Sequence, residues 1–95
     1  MIKHIVLWRL RFADAETFAK IRAALEAQVG RIPGLQRVEV GRNFAASRRA
    51  VDMALVCEFE SRAALAAYHK HPAHLQTRAI VDPLVDEHWI VDYEL

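Results

Sequence analysis

Ile2-Lys3-His4-Ile5-Val6-Leu7-Trp8-Arg9-Leu10-Arg11-Phe12 alternates between two faces. Ile2, His4, Val6, Trp8, Leu10 and Phe12 share one, and Lys3, Ile5, Leu7, Arg9 and Arg11 share the other. A period of two is the mark of a β-strand, because successive side chains point to opposite sides. The centre of this strand is apolar on both sides, so both sides need cover. Helices can supply one cover; the other must come from elsewhere.

Working outward, Asp14 offers a helix N-cap. Phe18, Ile21, Leu25, Val29 and Ile32 follow at steps of three and four and predict one apolar stripe, with Lys20, Arg22, Glu26 and Arg31 off it. Gly30 and Pro33-Gly34 end that helix. Leu35 to Phe44 reads as a second strand, with Leu35, Arg37 and Glu39 opposing Val38 and Val40. A polar connection, Ala45 to Ala50, leads to a third strand, Val51 to Glu60, in which Val51, Met53, Leu55, Cys57 and Phe59 face one way. Ser61 can cap a second helix that runs through Leu65 to about Lys70. Pro72 breaks it and opens a short third helix, closed by Asp82-Pro83. Glu87 to Glu94 is the last strand, with His88, Ile90 and Asp92 opposing Trp89, Val91 and Tyr93.

The order β-α-β-β-α-(α)-β predicts an α+β, ferredoxin-like domain, a four-stranded antiparallel sheet with helices on one face. Residues 1–95 read as one domain, with no internal repeat, linker or low-complexity segment. The other sheet face is left bare. A chain of 95 residues that is 54% hydrophobic carries more apolar material than a small monomer buries comfortably. Two such sheets packed face to face would cover it, so a homodimer is expected.

Thirteen basic and twelve acidic residues leave a net charge of +1, without the basic stripe of a nucleic-acid binder. Arg42, Arg48 and Arg49 read as a solvated edge beside the hairpin connection. Cys57 is the one cysteine and fits a reducing compartment as a small buried hydrophobe. The first twelve residues hold Lys3, His4, Arg9 and Arg11, so no apolar core of signal-peptide length is present there, and no run approaches a membrane span. A soluble cytoplasmic protein, with no nucleic-acid or membrane partner, is the expectation.

Three stretches carry a resemblance over essentially the whole chain. Met1-Ile2-Lys3-His4-Ile5-Val6-Leu7-Trp8, Tyr68-His69-Lys70-His71-Pro72-Ala73-His74 and Val91-Asp92-Tyr93 are similar, in that order, to the stress-responsive dimeric α/β-barrel (Dabb) family. The resemblance implies a dimeric α/β barrel with a pocket between sheet and helices. In a plant polyketide cyclase of that family, an aldol cyclisation proceeds there without cofactor. The matching positions imply Tyr68 and His74 as partners in catalysis, Asp92 as the carboxylate near the catalytic histidine, and His4 as a strand residue of the pocket. Alternation then puts Val6, Trp8, His88 and Ile90 on the pocket side, and Ile5 and Leu7 on the dimer side. Trp8 and His88 stand where the cyclase carries aliphatic residues, which implies a smaller or more polar ligand.

The chemistry of these residue types gives the resemblance content. A carboxylate on one imidazole nitrogen fixes the tautomer and leaves the other nitrogen as a base, the role expected of Asp92 and His74. Tyr68 could donate to a developing enolate oxygen. The bland alternative is that His74 and Asp92 satisfy one another as buried polar groups. His4 is equally readable as a pocket residue or as a core histidine bonded to backbone. His69, His71 and His74 suggest a metal cluster, but Pro72 intervenes and no cysteine or close carboxylate completes a ligand set, so no metal and no cofactor are expected. His71 reads as a helix cap and His69 as solvent-facing. Three functions stay open: acid/base chemistry on a small carbonyl or aromatic compound, of cyclase or isomerase type; a non-catalytic dimeric ligand-binding or stress-response protein; and a cofactorless monooxygenase.

Overall fold

The computed structural model describes residues 1–95. Its elements are β1 (Ile2–Leu10), α1 (Ala15–Glu26), β2 (Leu35–Arg42), β3 (Met53–Phe59), α2 (Arg62–Lys70), α3 (Pro72–Val81), a 3₁₀ turn over Asp82–Leu84, and β4 (Val85–Glu94). The four strands form one antiparallel sheet in the order β2-β3-β1-β4. This is the ferredoxin-like arrangement that the element order predicts.

The alternation of β1 decides the two faces. Ile2, His4, Val6, Trp8 and Leu10 are buried on the helix side, with Met53, Leu55, Cys57 and Phe59 of β3 beside them. Ile21 and Leu25 of α1, Tyr68 of α2 and Ala73 and Val81 of α3 close over them into one core. Burial at these positions stabilises the chain by roughly 1.5–3 kcal/mol for each large apolar side chain. No helix is long and apolar enough to cross a membrane.

Each helix starts where a side chain can take an unpaired backbone N–H. Asp14 accepts from Thr17 N at 2.8 Å, Ser61 from Ala64 N at 3.1 Å, and His71 Nδ1 from Ala73 N at 3.0 Å. The predicted cap role of His71 is therefore the observed one, and Pro72 occupies the first turn of α3. Gly34 adopts φ +83°, and a Cβ there would come within 2.5 Å of Ala64 Cβ, so α2 packs directly on this turn.

Two local expectations change. The first helix ends at Glu26, and Val29 is exposed in the following turns, although Ile32 still reaches the core. In β2 the register slips between Leu35 and Arg37, so Leu35, Val38 and Val40 all face the helices, opposite Phe59, Cys57 and Leu55. The extra residue, Gln36, reverses the parity that strict alternation gives Leu35. Strand ends also move by about two residues, as hydrogen-bonding rather than hydropathy sets them.

Candidate functional site

The last strand runs antiparallel to the first, with His4 opposite Asp92, Val6 opposite Ile90 and Trp8 opposite His88. Directly opposed residues of an antiparallel pair share a face. These six therefore lie on the helix side, as expected of them. β4 is an edge strand, however, and the helices do not reach fully across it: His88 and Ile90 stay exposed. A cleft of about 420 Å³ opens between this edge and α3. Its sheet wall is His4, Val6, Trp8, His88 and Ile90, and its helix wall is Tyr68, His69, His74, Thr77, Arg78 and Val81. Small-molecule sites typically measure about 300–1,000 Å³. Trp8 and His88 narrow the space without filling it.

The carboxylate expected beside His74 lies elsewhere. Asp92 Oδ1 is bonded to His4 Nδ1, and His74 Nδ1 is bonded to the side-chain oxygen of Gln28 at 3.1 Å. The His74–Asp92 pair is thus replaced by two separate pairs. The cause is register: His4 and Asp92 are direct cross-strand neighbours, whereas His74 sits on α3, facing the turn after α1. Asp92 does not line the cleft itself and reaches it only through the His4 ring. His4 Nδ1 thus bonds a side chain, not the backbone, while its ring also borders the cleft.

A carboxylate only accepts, so the proton of the His4–Asp92 bond belongs to Nδ1 and Nε2 is the free nitrogen. Gln28 Nε2 donates to Leu25 O at 3.4 Å, which turns the amide oxygen toward His74. His74 then donates from Nδ1 as well. No buried side-chain nitrogen or oxygen lacks a hydrogen-bond partner. Neither Nε2 has a partner within the chain, so both reach accessible space, and both rings border the cleft.

The electrostatic settings differ. Burial, then the neighbouring His69, Arg78 and His4, push His74 down to about 4, against the opposing charge of Asp82. The ring is neutral at physiological pH. Tyr68 stacks on it, with centroids 4.0 Å apart. Burial raises the Tyr68 hydroxyl well above its ordinary range, with the nearby Cys57 adding to the effect and Gln28 opposing it. It therefore remains a proton donor.

His69 was expected to face solvent. It is exposed, but its ring stands at the cleft, 5.8 Å from His4 and 6.0 Å from His74. Burial, and then His4, lower its proton affinity. His71 caps α3 instead of joining these rings, and no group of three His, Cys, Asp or Glu side chains is arranged to hold a metal ion. Cys57 is buried, and desolvation followed by the Asp92 charge pushes its thiol up to about 12, so it is protonated and unreactive.

Gln28 and Arg78 are not among the residues the sequence singles out, and Asp82, which closes α3, also stands at the cleft. Arg78 and Asp82 pair at 3.2 Å on the cleft rim, an i,i+4 pair that the chain spacing could have flagged. Gln28 lies in the turn after α1, three residues past Leu25 and four before Ile32, so it keeps step with the buried stripe while its polar side chain disguises that.

Known proteins share this fold. The family model described as "Stress responsive A/B Barrel Domain" (Dabb) matches residues 2–95. A dimeric protein of ferredoxin-like fold from Bacteroides fragilis is 28% identical, with a TM-score of 0.85 over 99% of this chain and 95% of its own. A dimeric ferredoxin-like protein from Thermobifida fusca is 25% identical, with a TM-score of 0.86 over 99% of this chain and 90% of its own. The fold is also that of the hydroxynitrile lyase from Passiflora edulis, at 17% identity and a TM-score of 0.83, covering 97% of this chain and 90% of that one. No curated protein matches. With its sheet, its helices and all but its first residue spanned by one model, the chain belongs to the Dabb, or stress responsive A/B barrel domain, family.

Proposed function

We propose that this Dabb protein is a homodimer of the cytoplasm that performs cofactor-independent proton transfer on a small carbonyl compound held in the cleft. The observation that carries the reading is the presence of two imidazoles on one cleft, each with Nδ1 committed and Nε2 free, but only one backed by a carboxylate. His4 is the base. Its Nε2 takes the proton from the carbon next to the carbonyl, and the C–H electron pair moves toward the carbonyl oxygen. Asp92 supports the positive charge that then arrives on the ring. Tyr68 donates to the developing oxyanion. His74 stays neutral and accepts a hydrogen bond from the substrate, while Val6, Trp8, His88 and Ile90 shape the space around it. The fold also carries a hydroxynitrile lyase, which supports it as a frame able to hold carbonyl chemistry.

Dimerisation enters the reading through the bare sheet face, where Ile5, Leu7, Trp89, Val91 and Tyr93 stand in register. Relatives with this fold are dimeric.

The test is α-proton exchange in deuterated water, followed by NMR, over a panel of small β-keto acids and aromatic ketones. The expected result is exchange above the buffer rate for at least one compound, slowed about 10²–10⁴-fold by Asp92→Asn with the fold intact. Binding without exchange across the panel would leave a ligand-binding dimer. Oxygen consumption with substrate would move the protein to the monooxygenases.

A further inference from the structure

Gln28 is 1% exposed, and it lies where the chain has left α1 and has not yet reached β2. A glutamine is seldom fully buried, because its amide brings two donors and a two-lone-pair oxygen that all need partners. Here both ends are engaged: Nε2 donates to Leu25 O at 3.4 Å, and Oε1 accepts from His74 Nδ1 at 3.1 Å. The first bond reaches back to the last turn of α1 and sets the direction of the second. Thr77 locks the opposite side. Its hydroxyl donates to Ala73 O at 3.1 Å and lies 3.3 Å from Ala24 O, so α3, which carries His74, is tied to α1 just before Gln28.

We propose that Gln28 is a positioning residue of the cleft, whose amide oxygen takes the Nδ1 proton of His74, turns Nε2 into an acceptor toward the ligand, and withholds from that ring the carboxylate that His4 has. The inference rests on the acid/base reading of the cleft. It divides the labour between two otherwise similar histidines. His4 gains a charge-bearing partner and can take up a proton. His74 gains a neutral one and holds its lone pair for recognition. The ligand class that fits such an acceptor presents a hydroxyl or an enol O–H to His74, beside the stacked Tyr68 ring. The charged and titratable groups facing His74 are His69 and Tyr68 from α2, Arg78 and Asp82 from α3 and its end, and His4 from β1. Three of them, His69, Arg78 and His4, oppose protonation of His74, so the neutral amide acts in the same direction as its surroundings.

A carboxylate at position 28 should undo this arrangement. Long-range proton–nitrogen NMR of the imidazoles in the full-length chain reads both the tautomer and the titration, and needs no substrate. In the wild type, His74 is expected to hold the Nδ1–H tautomer down to about pH 5. Gln28→Glu should keep that tautomer and raise the His74 midpoint by at least about one pH unit, a tenfold gain in proton affinity. Gln28→Leu should lose the tautomer preference. A wild-type His74 protonated on Nε2, or a midpoint that Gln28→Glu leaves in place, would overturn the proposal. The wild-type tautomer decides the matter even if neither variant folds. Turnover separates the two readings: a correct tautomer without α-proton exchange removes the proposed chemistry and leaves Gln28 as the orienting residue, whereas exchange with the wrong tautomer removes only the role of Gln28.

Discussion

The two faces of the sheet use the same strands to opposite ends. On one face His4, Val6 and Trp8 are covered by helices, and the cleft at its edge is lined with imidazoles. On the other, Leu7, Trp89, Val91 and Tyr93 are 38–52% exposed and stand together across β1 and β4. At one margin of that face Lys3 binds Glu58 at 2.6 Å, and this bond holds the Glu58 carboxyl below the usual range. Apolar side chains on adjacent strands form a continuous patch, which a small monomer rarely leaves in water. The comparison teaches that hydrophobicity alone does not locate the site. Both faces are apolar at their centre, and what distinguishes the helix face is that imidazoles stand among its apolar groups and border a cleft.

The sharpest way to break the comparison is to charge the bare face. Val91→Asp puts a carboxylate opposite Ile5. An interface that buried it unpaired would lose several kcal/mol. Sedimentation should then fall from twice 10.8 kDa to 10.8 kDa, with the helix face still folded. A wild-type mass of one chain would mean that the patch is open in solution. Next in size, Phe59→Ala empties a fully buried position on the helix face. Denaturant unfolding should show a loss of about 3–5 kcal/mol. A loss below 1 kcal/mol would mean that this face is less tightly packed than its burial implies.

Most of this contrast is legible in the chain, and the limits are physical. The parity of β1 and β4 puts His4 and Asp92 on one face because a strand leaves no other option. Their pairing follows only from register, which hydropathy does not encode; once the first and last strands are set antiparallel, His4 with Asp92, Val6 with Ile90 and Trp8 with His88 form a single consistent ladder. Leu35 misled because one bulged residue inverts parity. Gln28 was invisible for a different reason. It stands three residues after Leu25 and four before Ile32, in step with the buried stripe, but a glutamine there has no hydropathy to mark it, and Val29 beside it took its place. The partner of His74 could not be found without it, and the family resemblance put the β4 carboxylate, Asp92, in its place.

Acid separates the faces by the pH at which each weakens. His74 is pushed from 6.5 to about 4 by burial and by neighbouring His69, Arg78 and His4. The unfolded chain therefore binds more protons there than the native one between those values. Stability supplied by keeping the ring neutral is complete above about pH 6.5 and falls as the pH drops toward 4, by on the order of 2–3 kcal/mol. His69, lowered chiefly by burial, acts in the same direction from the same starting point. On the bare face, the Glu58 carboxyl is lowered from 4.5 by its bond to Lys3, so its contribution persists above 4.5 and is lost only as the pH falls through the lowered value. Acid unfolding should accordingly begin on the helix face. His74→Gln should flatten the upper arm, leaving the part due to His69, and leave the lower arm unchanged. Lys3→Met should do the reverse. Stability measured at fixed denaturant across this range reads both arms, and an upper arm indifferent to His74→Gln would mean that the neutral His74 ring is not what the helix face protects.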